Sequence, residues 1–282
     1  MNRKIYKATI SGFNITDAFE AVDLFFEKNY LAVSCAEKGR DWIVEVLKDR
    51  PFEVGEISSV LRTKKNFSAV TEELKDIDWL RKCFENFRPI LVGNFYIYGP
   101  HLRENVKPKD KILIEIAAAT AFGTGEHPTT SRCLMACQTF FDDRIHKKVL
   151  DIGCGSGILS IALAKLGAKN VVACDNDPEA VKITKENIEI NKVDHRISVF
   201  RNAGTEFSKQ KYDFIVANIL SEPLRAMSQA IFDSLSNEGI LVLSGFVTDD
   251  KTVEEKFSSL GLIKIFEYEH ANWSAVVFKK SN

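Results

Sequence analysis

The chain has 282 residues, with 38 lysines and arginines against 39 aspartates and glutamates, a formal net charge of -1 and 45% hydrophobic residues. This balance gives no global electrostatic drive toward nucleic acid, and the composition is that of a globular protein, long enough for two domains. No apolar run approaches the ~18–20 residues that cross a bilayer, and the start, MNRKIYKATISGF, has no apolar core of signal-peptide length, so a cytoplasmic location without membrane contact is expected.

KIYKATI reads as a strand, and TDAFEAVDLFFEK has apolar residues at helical spacing with Thr16 or Asp17 as its N-cap. LAVSCAEK and DWIVEVLK read as two strands paired across Gly39 and Arg40, FEVGEISSVLRTK as a second helix and SAVTEEL as a fourth strand. The order β-α-β-β-α-β is ferredoxin-like. This small domain has no glycine-rich loop and no catalytic constellation. Two readings stand: a module that recognises the substrate, or a structural cap. Trp42 and Trp79 are expected to pack. DIDWLRKCFENF is an amphipathic link. The expected division is a recognition domain over 1–66, a linker over 67–88 and a second domain over 89–282.

From Pro89 the pattern changes. PILVGNFYIY predicts two short strands and ILIEIA a third, followed by the irregular AFGTGEHP and a helix from about Thr129. Then strands and helices alternate: KVLDIG, ILSIALAKLG, NVVACD, PEAVKITKENIEI, ISVF, DFIVANIL, EPLRAMSQAIFDSL, GILVLSG and VEEKFSSLG. Alternation of this kind predicts a doubly wound α/β sheet. LIKIFEYE and WSAVVFK leave no room for a helix between them, so an antiparallel hairpin closes the chain.

Cys35, Cys83, Cys133, Cys137, Cys154 and Cys174 form no CxxC pair. With the scattered histidines, among them His146, His195 and His270, they do not assemble the four-ligand spacing a structural metal needs. Buried free thiols, and no metal, are expected.

Chemistry concentrates in VLDIGCGSGILSIALAKLGAKNVVACDNDPEAV. Gly153, Gly155 and Gly157 make G-x-G-x-G. The hydride-transfer dinucleotide fingerprint needs its third glycine one place later, where Ile158 stands. The Walker lysine is absent as well. The physical task is nonetheless a tight strand-to-helix turn whose missing Cβ atoms let a ligand approach the backbone. Asp151 precedes the glycines, and Asp175 ends the next strand, where an acid can accept two hydrogen bonds from a ribose diol.

These blocks resemble the class I S-adenosylmethionine-dependent methyltransferases. With AFGTGEHPTTSRCL before the glycine strand, and VANIL with Pro-Leu shortly after, the chain resembles over nearly its whole length the bacterial ribosomal protein L-eleven methyltransferase family, PrmA. The resemblance implies a Rossmann-like methyltransferase domain with S-adenosyl-L-methionine contacted by Thr130, Gly153, Gly155, Asp175 and Asn218. Thr130 would come from the loop that closes over the methionine end. Phe122, Gly123, Thr124 and Gly125 would form a flexible loop beside the pocket. It further implies repeated methylation of lysine side-chain amines, and of the N-terminal α-amine, of a large-subunit ribosomal protein, free or on the ribosome, without a direct nucleic-acid requirement. The small domain would then swing, with 67–88 as the hinge. The sequence departs from the common family pattern in IAAAT before AFGTG and in Glu126.

The chemistry can be argued beside the resemblance. A lysine amine, with a reference pKa of about 10.4, must shed a proton before attacking the methyl. A carboxylate touching it favours the charged, unreactive form; a neutral amide favours it less and still accepts a hydrogen bond. Asn218, at the tip of DFIVANIL, supplies that amide. His127 is either a general base paired with Glu126 or the residue that shapes the loop and caps the next helix. Glu115 lies either beside the cofactor amino group or on a solvent-facing strand position. An acceptor other than the ribosomal protein, another protein or a small-molecule amine, is the alternative.

Overall fold

The computed structural model describes residues 5–281 except 27, 29, 31, 40, 63–66, 75–88, 105–107, 118–126, 203 and 271. Contacts divide the chain into two compact units, Met1–Glu85 and Asn86–Asn282.

In the first unit, β1 (Ile5–Phe13), α1 (Ile15–Phe26), β2 (Ala32–Lys38), β3 (Asp41–Lys48), α2 (Glu56–Val60) and β4 (Ser68–Leu74) form an antiparallel sheet of order β2-β3-β1-β4 with its helices. This is the expected ferredoxin-like arrangement. Alternate strand residues Ala8, Ile10, Val44 and Val46 face Ala18, Ala21, Val22 and Phe25 of α1 and Ile57 and Leu61, the period-2 and helical faces meeting in one core. Two expectations are corrected. The cap of α1 is Asn14, whose Oδ1 accepts from the Asp17 N–H at 2.8 Å. The second helix spans only Glu56–Val60, its start set by Gly55, which is left-handed at φ 81°. SAVTEEL, expected as the fourth strand although it also falls within the expected 67–88 linker, is β4, paired with β1 along its length. Trp42 packs on Phe19, ring centroids 5.4 Å apart; Trp79 lies outside the described residues.

The second unit opens with β5 (Ile90–Val92), β6 (Phe95–Tyr98) and β7 (Ile112–Glu115) in a small three-stranded sheet, followed by α3 (Pro128–Phe140). The main sheet contains β8 (Val149–Ile152), β9 (Val171–Asp175), β10 (Ile197–Arg201), β11 (Tyr212–Asn218), β12 (Leu235–Val247), β13 (Leu262–His270) and β14 (Trp273–Lys280), in the order β10-β9-β8-β11-β12-β14-β13. The strands from β10 through β12 pair in parallel, and β14 runs antiparallel to both neighbours. The helices between them are α4 (Ile158–Lys165), α5 (Pro178–Ile190), α6 (Ser221–Ala226), α7 (Ser228–Ser234) and α8 (Thr252–Ser259). The helix expected over EPLRAMSQAIFDSL is broken at Met227 into α6 and α7.

Strand residues alternate between two cores. Val149, Phe214, Val216 and Val242 face Leu134, Ile161 and Ile188 from α3–α5. Leu150, Ile215, Leu241 and Leu243 face Leu224, Ile231 and Phe257 from α6–α8. Burial on both faces is why these strands read as continuous apolar runs in the sequence.

Candidate active site

Strand order reverses at β8, whose neighbours β9 and β11 lead away in opposite directions. In open parallel sheets ligands bind beyond the carboxyl ends of the strands at such a point. β8 runs there into the glycine turn. Gly153 has φ 72°, and a Cβ on it would lie 2.2 Å from Ile219 Cγ2, so both conformation and space require glycine. Gly155 N–H donates to Asp175 Oδ2 at 2.9 Å. Asp175 Oδ1 accepts from the Asp177 N–H at 3.0 Å. Two backbone amides thus hold the carboxylate at the end of β9, and each oxygen keeps a further lone pair for a diol.

Asn218 ends the neighbouring strand β11 and is buried. Its Nδ2 donates to Thr130 Oγ1 at 3.2 Å across 88 residues of sequence. Its Oδ1 is buried and has no hydrogen-bond partner among the described residues. An unpartnered buried acceptor costs roughly 1–3 kcal/mol, so a donor arriving there is stabilised. Thr130 belongs to the first turn of α3 and is fully buried, not in a loop as expected. The helix starts before it because Pro128, pre-set for a helical first position, follows a cap at His127.

His127 is that cap. Its Nδ1 accepts from the Thr129 N–H at 3.3 Å and lies 2.7 Å from Thr129 Oγ1, and its ring meets Trp273 edge-on at 4.8 Å. Burial drives its pKa down to about 3, which suits a neutral cap and is far below the operating range of a general base. Glu115 is not on a solvent-facing position: it is 4% exposed. Arg103 Nε donates to its two carboxylate oxygens at 3.1 and 2.9 Å, so its charge is already matched. Phe122, Gly123, Thr124, Gly125 and Glu126 lie outside the described residues.

One group escaped the reading of the sequence. Thr184, Asn187 and Asn191 line one buried face of α5 and the residue that follows it. Thr184 Oγ1 donates to the Gly155 carbonyl at 2.8 Å, and Asn187 Nδ2 to the Ser156 carbonyl at 2.8 Å. Asn187 Oδ1 accepts from the Ala117 N–H at 3.0 Å, and Asn191 Oδ1 from the Glu115 N–H at 3.0 Å. The helix therefore braces the glycine turn and the end of β7 together. The available signal was two asparagines spaced i, i+4 where an apolar face was due. Asp151, placed by the sequence just before the glycines, is fully buried. Its Oδ2 accepts from the Ser160 N–H at 3.0 Å and hydroxyl at 2.6 Å. Burial pushes its carboxyl up to about 7 against the pull of Ser160.

Cys133, Cys137, Cys154 and Cys174 are buried free thiols and Cys35 is half-buried; Cys83 lies outside the described residues. Burial pushes these four thiols up, Cys174 to about 12, which makes them inert as nucleophiles. Among the described residues no group of three or more His, Cys, Asp or Glu could hold a metal ion. Nor is any helix among them long and apolar enough to cross a membrane.

The family model described as "Ribosomal protein L11 methyltransferase (PrmA)" matches residues 10–281. The chain belongs to the ribosomal protein L11 methyltransferase family. The PrmA match spans both compact units, and curated members resemble the chain over most of its length. A ribosomal protein L11 methyltransferase of Bradyrhizobium diazoefficiens is 31% identical over 267 residues, covering 92% of this chain and 90% of its own. A Caulobacter relative of the same name is 35% identical over 75% of this chain and 74% of its own. The crystal structure of a ribosomal protein L11 methylase from Lactobacillus delbrueckii subsp. bulgaricus superposes with a TM-score of 0.63 at 26% identity, covering 70% of this chain and 100% of that one. PrmA membership makes the chain a methyltransferase and fits a carboxyl-edge site built from a glycine turn, an acid and an amide.

Proposed function

We propose that this methyltransferase transfers methyl groups from S-adenosyl-L-methionine to lysine side-chain amines, and to the N-terminal α-amine, of ribosomal protein L11. The observation that carries the reading is Asn218: a buried neutral amide at the switch point, its nitrogen tied to Thr130 and its oxygen without a partner among the described residues. The residues present fit the cofactor. Gly153 and Gly155 hold the turn at positive φ, 72° and 53°, without side chains, and Asp175 stands at the strand end to take the ribose hydroxyls. Thr130 keeps the Asn218 amide turned with its oxygen free. The family resemblance adds Phe122, Gly123 and Thr124, which lie outside the described residues, to the proposed cofactor contacts. Bound there, S-adenosylmethionine supplies a methyl already activated by its sulfonium charge.

The protein's own part is to bind the amine in its neutral form and hold it in line. Asn218 Oδ1 accepts a hydrogen bond from the incoming amine without the charge that would retain its proton, so the lone pair is available once that proton has gone to solvent. The acceptor is recognised as protein, through the first unit, with no nucleic-acid or membrane requirement, in the cytoplasm.

The test is intact-mass spectrometry of ribosomal protein L11 incubated with the enzyme and S-adenosylmethionine, beside Asn218→Ala. Mass increments in methyl units, reduced by about 10²-fold in rate in the variant, are expected. Increments unchanged in the variant would remove Asn218 from the mechanism. No increments, with cofactor binding shown by calorimetry, would point to a different amine acceptor.

A further inference from the structure

Three adjacent strands, β8, β11 and β12, bring Gly153, Ile219 and Gly245 together at the carboxyl edge of the sheet, one residue beyond Asn218. The Ile219 N–H donates to the Ser244 carbonyl at 3.1 Å. Just there β12 bulges between Ser244 and Phe246, with Gly245 at φ 98°. A Cβ on Gly245 would lie 2.2, 2.6 and 2.9 Å from the O, C and N atoms of Ile219, all backbone. A Cβ on Gly153 would lie 2.2 Å from Ile219 Cγ2. Ile219 is thus gripped on two sides: its backbone seats in the space left by Gly245, and its side chain fills the space left by Gly153.

Among the described residues, the Asn218 side chain makes one hydrogen bond, to Thr130 at 3.2 Å. A single bond at that distance leaves the amide's placement to the backbone that carries it. We infer that Ile219 is a positioning residue for methyl transfer, locking the Asn218 amide at a fixed distance from the glycine turn. The inference rests on the reading of Asn218 as the acceptor of the substrate amine. It makes Gly153 serve twice, as part of the tight glycine turn and as the seat of Ile219. Placement errors near 1 Å cost on the order of 10²-fold in rate, so the grip has kinetic weight beyond its contact area.

The test uses the full chain with S-adenosylmethionine and ribosomal protein L11, measuring kcat, both KM values and the calorimetric cofactor Kd. Ile219→Val keeps both γ carbons, Cγ2 included; Ile219→Ala loses them. The expected result is kcat within about twofold of wild type for Ile219→Val and down about tenfold or more for Ile219→Ala, with cofactor Kd changed by no more than about threefold. Equal kcat values for the two variants, or a loss confined to cofactor affinity, would overturn the inference. The backbone half is tested by Gly245→Ala against Gly261→Ala. Gly261 has nearly the same φ, 97°, but nothing within 4 Å of an added Cβ, so it reports conformational strain alone. Both variants are expected to melt at lower temperature and only Gly245→Ala to lose kcat; equal kcat in the two would count against the grip. Should Gly245→Ala not fold, the Ile219 pair decides. Asn218→Ala separates the two levels. If it is inactive while Ile219→Ala is fully active, only the inference fails; if it is fully active, the reading of Asn218 fails and takes the role of Ile219 with it.

Discussion

Asn218 and Asp151 stand on neighbouring strands of one sheet, and their chemistry differs because one is neutral and one titrates. Asn218→Asp places a carboxylate where the amine must deprotonate. A negative charge there favours the ammonium, so the pH–rate profile is expected to move to higher pH, with activity partly recovered on the alkaline side; an unshifted profile would show that Asn218 does not meet the amine. Asp151, held at about 7 by burial, has an unfolded reference near 3.9. An acid whose folded pKa is raised binds its proton more tightly in the native state. Its stabilisation is full below about pH 4 and is lost progressively as pH rises to about 7. Asp151→Asn, which keeps an acceptor for Ser160 and does not titrate, removes this slope. The melting temperature of wild type relative to the variant is therefore expected to fall across that window and level off above it, as calorimetry at constant ionic strength would show. A parallel pair of curves would mean that Asp151 does not titrate there.

At the scale of elements, most strands and helices of the second unit were legible because buried parallel strands are uninterrupted apolar runs separated by amphipathic helices. Boundaries were not. The break at Met227 and the short α2 depend on backbone geometry that no periodicity reports. His127 was legible as a residue at a helix start, but its role was decided by burial. His127→Ala is expected to cost about 1 kcal/mol through the lost cap, whereas His127→Asn, itself a good cap, retains most of the stability; urea midpoints would compare the two. The polar face of α5 was hidden in the sequence, since hydrogen bonds to the Gly155 and Ser156 carbonyls link turns far apart along the chain. Thr184→Val leaves the Gly155 carbonyl without its partner. A loss of roughly 1–3 kcal/mol is expected, together with weaker cofactor binding by calorimetry, because the glycine turn loses its brace. Thr184→Ser, which retains the hydroxyl, should keep the affinity; equal affinities in the two variants would show that the hydroxyl does not shape the turn.

At the scale of the whole molecule, each unit has a core of its own. The first buries Ala8, Ile10, Phe25 and Val46, and the second buries the two faces of its sheet. The glycine turn, Asp175, Thr130 and Asn218 all belong to the second. Residues 86–282 alone are therefore expected to bind S-adenosylmethionine with little change in Kd while failing to methylate ribosomal protein L11. Undiminished methylation by the truncated chain would assign the first unit a structural role instead, the choice that composition and pattern left open.

The sequence by itself determined the two-domain order, the alternating α/β sheet with its closing hairpin, and the resemblance carried by AFGTGEHPTT, the glycine block and VANIL. These follow from local periodicity and short spacings, which are properties of neighbouring residues. Only the tertiary structure decided that Thr130 holds Asn218 from a helix, that Glu115 is spent on Arg103, that His127 caps α3, and that Ile219 is seated between two glycines. Each of those facts joins residues distant in sequence, and the physical terms that settle them, burial, hydrogen-bond partnership and excluded space, do not exist until the strands lie side by side.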